Sequence, residues 1–364
     1  MRLSATLSFY LSRQLLFWTV VIFGGLTAVL LMFDLVEQLR RVAGRVDVGY
    51  GIAVQLALLQ LPHLIQQTLP FTILFGAMMA FWRLSRSNEL AVARAAGVSA
   101  WQFLLPGLLI AALIGVFQIT AFNPLAATLL ARFEHLDAIY LKHSTSRLAV
   151  SPTGLWLRQG DDTGQTVINA QRSAADGTEL LTVTFFVFKN PDHFIRRIDA
   201  DRAWLGDGYW NIERAWIAAP SEERRFAETY RIPTDLTPDK IQDSFASPET
   251  MSFWAIPCFL QTLEAAGFSG HRHRMYWHTL LATPLLLAAM ILFAAVFTLK
   301  AGGRTGATRT VSLGVLCSFA LYFASDIVHA LGLSASIPAV LAAWSPPAIA
   351  TLLALAMVFH LEDG

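Results

Sequence analysis

Residues 15–33 read LLFWTVVIFGGLTAVLLMF and hold not one charged side chain. A helix needs about 20 apolar residues to cross the hydrocarbon of a bilayer, so this run is long enough to span. Lipid offers no water to the backbone, which leaves helix or closed barrel as the only spanning structures. Five further runs repeat the pattern, at 51–81, 104–122, 280–299, 310–331 and 337–359. The second contains Pro62 and Pro70, with His63 as its one ionisable group, and reads as a tilted or kinked span with an interfacial lead-in. Asn123-Pro124 supplies a stop signal for the third run, and Pro346-Pro347 divides the last into a short helix and a shortish sixth span. The chain is 55% hydrophobic and 15% charged, against roughly a quarter charged in soluble domains. The reading is an α-helical membrane protein with a β insert, its six transmembrane helices arranged three and three. The first run starts after Arg13 and lacks a small-residue cleavage site, so it is expected to stay as an anchor.

Between the third and fourth runs the texture changes. Residues 140–250 carry most of the acidic side chains and alternating stretches such as LLTVTFFVF and YWNIERAWIAAP, separated by turn-like NPDH, GDG and DDTG. Short alternating segments at such spacing predict an all-β sandwich or open jellyroll. The segment MSFWAIPCFLQTLEAAG that follows places Phe259, Leu260, Leu263 and Ala266 at helical spacing, and should lead along the membrane surface into the fourth span. The expected division is 1–139 for three spans, 140–250 for the β-jellyroll, and 251–364 for a connecting helix and three more spans. The net charge of +1 gives no argument for nucleic-acid binding, and Cys258 and Cys317 lie in separate segments, so no disulfide framework is expected.

Basic residues in short loops orient the spans. With the N-terminus inside, the cytoplasmic side collects Arg2, Arg13, Arg83, Arg86, Arg94, Lys300, Arg304 and Arg309, and the other side only Arg40, Arg41 and Arg45. Both termini are therefore expected in the cytoplasm and the β insert outside. SRSNELAVARAAGVSAWQ, at 85–102, then lies in the cytoplasm between spans two and three. Ser87 reads as an N-cap, Glu89 sits where the helix dipole favours an acid, and Gly97 is a C-terminal stop. A helix of about nine residues is too short to hold alone. Ala91, Ala93, Ala95 and Ala96 make it slim enough to enter a groove on a partner, with Glu89 projecting a charge. A plain connector is the competing reading.

The stretch SNELAVARAAGVS resembles the cytoplasmic coupling helix of the lipopolysaccharide export permeases, the LptF/LptG family. LVEQLRR at 35–41, the LP before GAMMAFWRLSRSNEL, and LTPDKI at 236–241 agree in order and spacing, as does the plan of three spans, a β-jellyroll and three spans. The resemblance covers essentially the whole chain, and EQLRR points to the LptG member rather than LptF.

The resemblance implies a permease subunit that pairs with an LptF-like chain on an LptB-like ATPase dimer. It would extract lipopolysaccharide from the outer leaflet of a bacterial inner membrane and pass it, through a periplasmic β-jellyroll, to LptC-like and LptA-like proteins. The chain itself would be no enzyme and would hold no cofactor, ATP being bound by the partner. The residues agree, since no G-x-x-x-x-G-K-[ST] loop is present and AGGRTGATRT at 301–310 is only a glycine-rich basic loop. Glu89, Leu90, Arg94, Ala96 and Gly97 are the expected ATPase-coupling residues, Glu89 foremost. Glu37, Arg40, Arg41 and Arg45, just outside span one, are placed for lipid phosphates, which arginine binds in two-point fashion, or for general headgroup anchoring. Phe23, Leu26 and Leu30 on span one, and Phe319, Tyr322 and Phe323 on span five, are candidate acyl-chain contacts or ordinary packing residues. Asp326, ionisable within a span, is a candidate site by default, with a solvated or capping role as the alternative. His271, His273 and His278 lack a Cys or carboxylate to complete a metal set, and Asp34 and Asp326 lie too near the outer face for an intramembrane protease dyad. A membrane sensor is the rival class, but no cytoplasmic segment is long enough to be its output module.

Overall fold

The computed structural model describes residues 5–43, 49–142, 147–151, 154–161, 164–174, 178–189, 193–220, 222–234, 236–237, 247–265, 270–299, 307–334 and 336–362. The chain divides into two compact units, 1–136 with 275–364, and 137–274.

The first unit is helical. Its elements are α1 (Ala5–Val42), α2 (Tyr50–Arg86), the short α3 (Glu89–Ala95), α4 (Ala100–Phe117) and α5 (Asn123–Asp137). After the β strands come α6 (Ile256–Ala265), α7 (His271–Leu299), α8 (Ala307–Leu333) and α9 (Ala339–Glu362). Of these, α6 and the first four residues of α7 belong to the second unit, and the rest of α7, α8 and α9 return to the first. Among the described residues six helices are long and apolar enough to cross a membrane: Thr6–Val42, Tyr50–Arg86, Trp101–Leu141, His271–Thr298, Ser312–Leu333 and Ala339–His360.

Two proline signals do not end helices as the sequence suggested. The third span continues through Asn123-Pro124, because the helix widens to a π turn over Gln118–Phe122. The Asn123 backbone N–H reaches back to the Gln118 carbonyl, five residues away. That looser turn absorbs the ring and the missing N–H of Pro124, which a regular turn would not. The second π turn, Ala138–Lys142, closes the same helix. Pro346 and Pro347 likewise lie inside the single helix Ala339–Glu362, so no short helix precedes the sixth span. Neighbouring helices let spanning segments tolerate such breaks in the ladder.

Helix α7 contributes Leu287, Ile291, Phe293, Ala294 and Ala295 to one buried cluster shared with Ile73, Leu74, Ala77 and Phe81 of α2, Phe103 and Leu104 of α4, and Ala350 and Ala354 of α9. Two glycines allow close approach. A Cβ on Gly76 would lie 2.7 Å from Thr19 Cα, and one on Gly115 would lie 2.6 Å from Pro284 Cα. Small residues at such crossings let spanning helices pack backbone to backbone.

The second unit holds α6 and one antiparallel sheet with its seven strands in sequence order: β1 (Arg147–Ser151), β2 (Gly154–Asp161), β3 (Gly164–Ala174), β4 (Glu179–Lys189), β5 (His193–Gly206), β6 (Tyr209–Ala219) and β7 (Glu222–Pro233). Asp207-Gly208 makes the tight β5–β6 hairpin, with Gly208 at φ 77° as such turns require. The sheet folds back on itself. Gln159 of β2 donates to the Pro233 carbonyl of β7 and accepts from Thr234, although four strands lie between them.

The cause of the fold-back is local. Buried residues on neighbouring strands are spaced by three rather than two at Ala170/Ser173, Leu180/Val183, Ala200/Ala203 and Ile212/Ala215. Thr182 and Arg214 on that line have φ of 52° and 53°. A row of irregularities across adjacent strands bends a sheet along one crease. The crease encloses Trp210, Phe185, Ile198, Leu155 and Leu157, each at most 1% exposed, and Leu263 of α6 packs against the same core. The expected jellyroll-like insert is thus present as a creased meander.

Candidate functional site

Three groups of candidate residues fall in the helical unit. The first surrounds α3. Ser87 caps the end of α2, its backbone N–H bonding to the carbonyls of Arg83 and Ser85. It is therefore not the N-cap of α3. That place falls to Asn88, at φ 57°, whose carbonyl accepts from the Val92 N–H. The helix is seven residues long, shorter than the sequence suggested. Gly97 ends it at φ 81°, with the Val98 N–H bonding back to the Ala93 carbonyl in a Schellman closure.

Burial assigns the faces of α3. Leu90 is 6% exposed and enters the helical core, with Ala93 and Val98 packed beside it. Ala93 therefore faces inward, contrary to the sequence reading. Ala91, Ala95 and Ala96 face out together with Val92, which is 69% exposed, and Gly97 is exposed at the helix end. Arg94 belongs to α3, and its side chain lies outside the described residues.

Glu89 is not a bare charge. Its carboxylate accepts from the Tyr10 hydroxyl and the Ser87 hydroxyl, each at 2.8 Å. Tyr10 belongs to α1, so α3 is tied to the start of the first span. A second tie lies alongside: with its amide oxygen turned to face donors, Gln14 accepts from Arg83 Nη1 at 2.9 Å and from Trp18 Nε1 at 3.0 Å. The Arg86 guanidinium lies over the Trp82 ring, 5.3 Å from its centroid. Sequence reading missed Tyr10 and Gln14, since partners 79 residues apart in the chain leave no local pattern.

The second group closes the other end of α1. Arg40 makes a two-point ion pair with Glu37, both contacts 2.9 Å, while remaining 77% exposed. Arg41 donates to Gln38 Oε1. Gln38, only 2% exposed, donates in turn to Gln60 of α2 at 3.0 Å and to Asp34 at 3.3 Å. Asp34, Gln38 and Gln60 thus form a half-buried polar seam between α1 and α2, with one Asp34 oxygen unpartnered among the described residues. Arg45 lies outside the described residues.

The third group is the pair of open walls. Only 11% of the most apolar window of α1, and the same of α8, is buried, against 67% for α7. Phe23 stands exposed on α1, with Leu26 and Leu30 half-buried. On α8, Phe319 stacks on Phe71 of α2 and Tyr322 packs tilted against it, with ring centroids 5.2 and 5.1 Å apart, yet they stay 43% and 47% exposed. Phe323 is 62% exposed, and Asp326 one turn on is exposed too. The histidines of the fourth span serve separate partners: His273 packs on Phe259, and His278 accepts from Trp344 at 3.4 Å.

The first and second groups are the two ends of one helix, α1, and the third is its flank together with α8. The model of the family described as lipopolysaccharide export system permease LptF/LptG matches residues 9–359. The lipopolysaccharide export system permease protein LptG of Haemophilus influenzae is 23% identical over 374 residues, covering 98% of each chain. Its counterpart from Escherichia coli K12, also named LptG, is 24% identical over 343 residues and 88% of each chain. A match spanning six apolar helices and the β unit between them places this chain in the LptF/LptG family of lipopolysaccharide export permeases.

Proposed function

We propose that this chain is the LptG-type subunit of an ATP-driven lipopolysaccharide extractor in a bacterial inner membrane. Both termini and α3 face the cytoplasm, and the β unit faces the periplasm. An LptB-like ATPase dimer takes α3, and an LptF-like chain completes the transmembrane part. Lipopolysaccharide enters from the outer leaflet, its acyl chains against Phe23, Leu26, Leu30 and Tyr322 and its phosphates near Arg40, Arg41 and Arg45. It then passes along the β unit to LptC-like and LptA-like proteins.

The observation that carries the ATPase assignment is the division of labour on α3. Leu90 and Ala93 satisfy the chain's own core, while Ala91, Val92, Ala95 and Ala96 leave a narrow uncharged face open. A face of methyl groups admits a close partner, and burying Val92 there is worth about 1.5–3 kcal/mol. Glu89, held by Tyr10 and Ser87, stands at the rim of that face as a preset acceptor.

The test is a detergent pull-down of the tagged chain, comparing wild type with Val92→Arg and Glu89→Arg. Wild type should bring down an ATPase subunit and a second six-span chain. Val92→Arg should lose the ATPase alone, by tenfold or more. Retention of the ATPase by both variants would sink the docking role, and a wild-type chain that captures no ATPase would sink the transporter reading itself.

A further inference from the structure

We propose that α6 is an interfacial anchor, its outer face, led by Trp254 and uncharged up to the Glu264–Arg274 pair of its last turn, seated in the headgroup–acyl boundary of the bilayer that α7 enters. The inference needs only that α7 crosses a membrane and stands apart from any choice of transported lipid.

The inner face of α6 is accounted for. Ile256 and Leu263 are 0% and 1% exposed, and Phe259 and Leu263 pack into the core of the creased sheet. The outer face is Trp254, Pro257, Cys258 and Gln261 and, in the last turn, Glu264 paired with Arg274, all exposed, with Trp254 62% so. Phe253 holds the Trp254 ring edge to face, with centroids 5.1 Å apart. From Met251 to Leu263 the sequence has no charged residue at all. A helix turning that face to water would ordinarily carry charge along it. An amphipathic helix with Trp at its exposed edge is instead the form that lies in a membrane interface.

Contacts at the corner between α6 and α7 set the depth. Phe259 packs tilted against His273 with centroids 5.0 Å apart, and Glu264 pairs with Arg274. A Cβ on Gly270 would strike Leu260 at 2.6 Å, so the corner is closed tightly. Helix α6 is therefore folded back against the first turn of α7. That turn carries His271, Arg272, His273 and Arg274, which belong among headgroups because charge is costly in the hydrocarbon. A helix packed on a headgroup-level turn is itself at that level. Its side not taken by the sheet meets lipid, with the Glu264–Arg274 pair among the headgroups.

Cys258 lies on that outer face, one helical turn from Trp254, and serves as the probe. The full chain with Cys317→Ala, nitroxide-labelled at Cys258, is reconstituted in nanodiscs of phosphatidylethanolamine and phosphatidylglycerol. Collision with oxygen is then compared with collision with a water-soluble nickel chelate. The reference is a label at Arg158→Cys on the exposed side of β2, in a chain with both native cysteines replaced. The Cys258 label should favour oxygen several-fold more than the reference. Adding Trp254→Glu should move it several-fold back toward the aqueous value. An aqueous reading at Cys258 overturns the proposal. So does low access to both reagents, which would mean that protein covers the face, and an unchanged reading in Trp254→Glu removes Trp254 as the anchor.

Discussion

At Glu89 the carboxylate expected to wait for a partner is already held by two hydroxyls of its own chain, one of them Tyr10 on the first helix. The sequence made the acid legible and left its restraint invisible, because Tyr10 stands 79 residues away with no periodicity to link them. Tyr10→Phe should remove one net hydrogen bond, lowering thermal stability in detergent by about 0.5–1.5 kcal/mol without loss of the fold. Gln38 is the converse case. It reads as one polar residue in EQLRR, yet it is buried and touches Asp34, Arg41 and Gln60. Gln38→Leu should strand those partners and cost about 1–3 kcal/mol, read as a fall in melting temperature well beyond that of Tyr10→Phe. Arg40 and Arg41 were legible as phosphate candidates. Replacing both with Glu should reduce crosslinking of lipopolysaccharide near the outer end of α1, and undiminished crosslinking would leave them as headgroup anchors. Trp210 sets two effects against each other. Its indole N–H is buried without a partner among the described residues, so Trp210→Phe trades a small cavity for relief of that group. Hydrogen exchange in the β unit should show it within about 1 kcal/mol of wild type, whereas Trp210→Ala should cost about 3–5 kcal/mol.

Among the elements, the existence of all six spans was legible, because apolar length is a property of each run by itself. Their ends were not. Proline signals at 123–124 and 346–347 were read with the ordinary penalty for a soluble helix. The π turn before Pro124 rearranges the bonds so that less of that penalty applies. The short α3 was seen, but its cap was assigned to Ser87, whose backbone N–H closes the end of α2. In the β insert the alternating stretches marked strands correctly. The crease stayed hidden because it comes from a three-residue spacing shared by neighbouring strands, and register between strands is a tertiary fact. Glycine packing was equally silent. Gly115→Leu should force α4 from Pro284, where even a Cβ would lie at 2.6 Å. Unfolding in detergent should register a loss of about 1–3 kcal/mol, the usual range for overpacking, or more.

For the molecule as a whole, the plan of three spans, a β insert and three spans was legible. The aromatic and aliphatic residues of α1 and α8 were marked as acyl contacts or packing, without a way to tell that both walls stay open. A helical unit that buries α7 so fully and α1 so little has apolar surface to spare. Co-purification with the LptF-like chain proposed as its partner should therefore raise the melting temperature by several degrees, as any partner that binds only the folded state does. No shift would mean that lipid alone covers those walls. The bond between Tyr10 and Glu89 matters most at this scale. From Tyr10 to Arg41 the first helix runs about 47 Å at 1.5 Å per residue, with no proline in its 38 residues. Gly24-Gly25, with open space around both, is the one soft joint along it. Any load applied to α3 thus enters a lever at its short end, and the far end, where the arginines stand, moves as the joint allows. Stiffening the joint should tighten the transmission, and loosening it should let the handle turn without moving the blade.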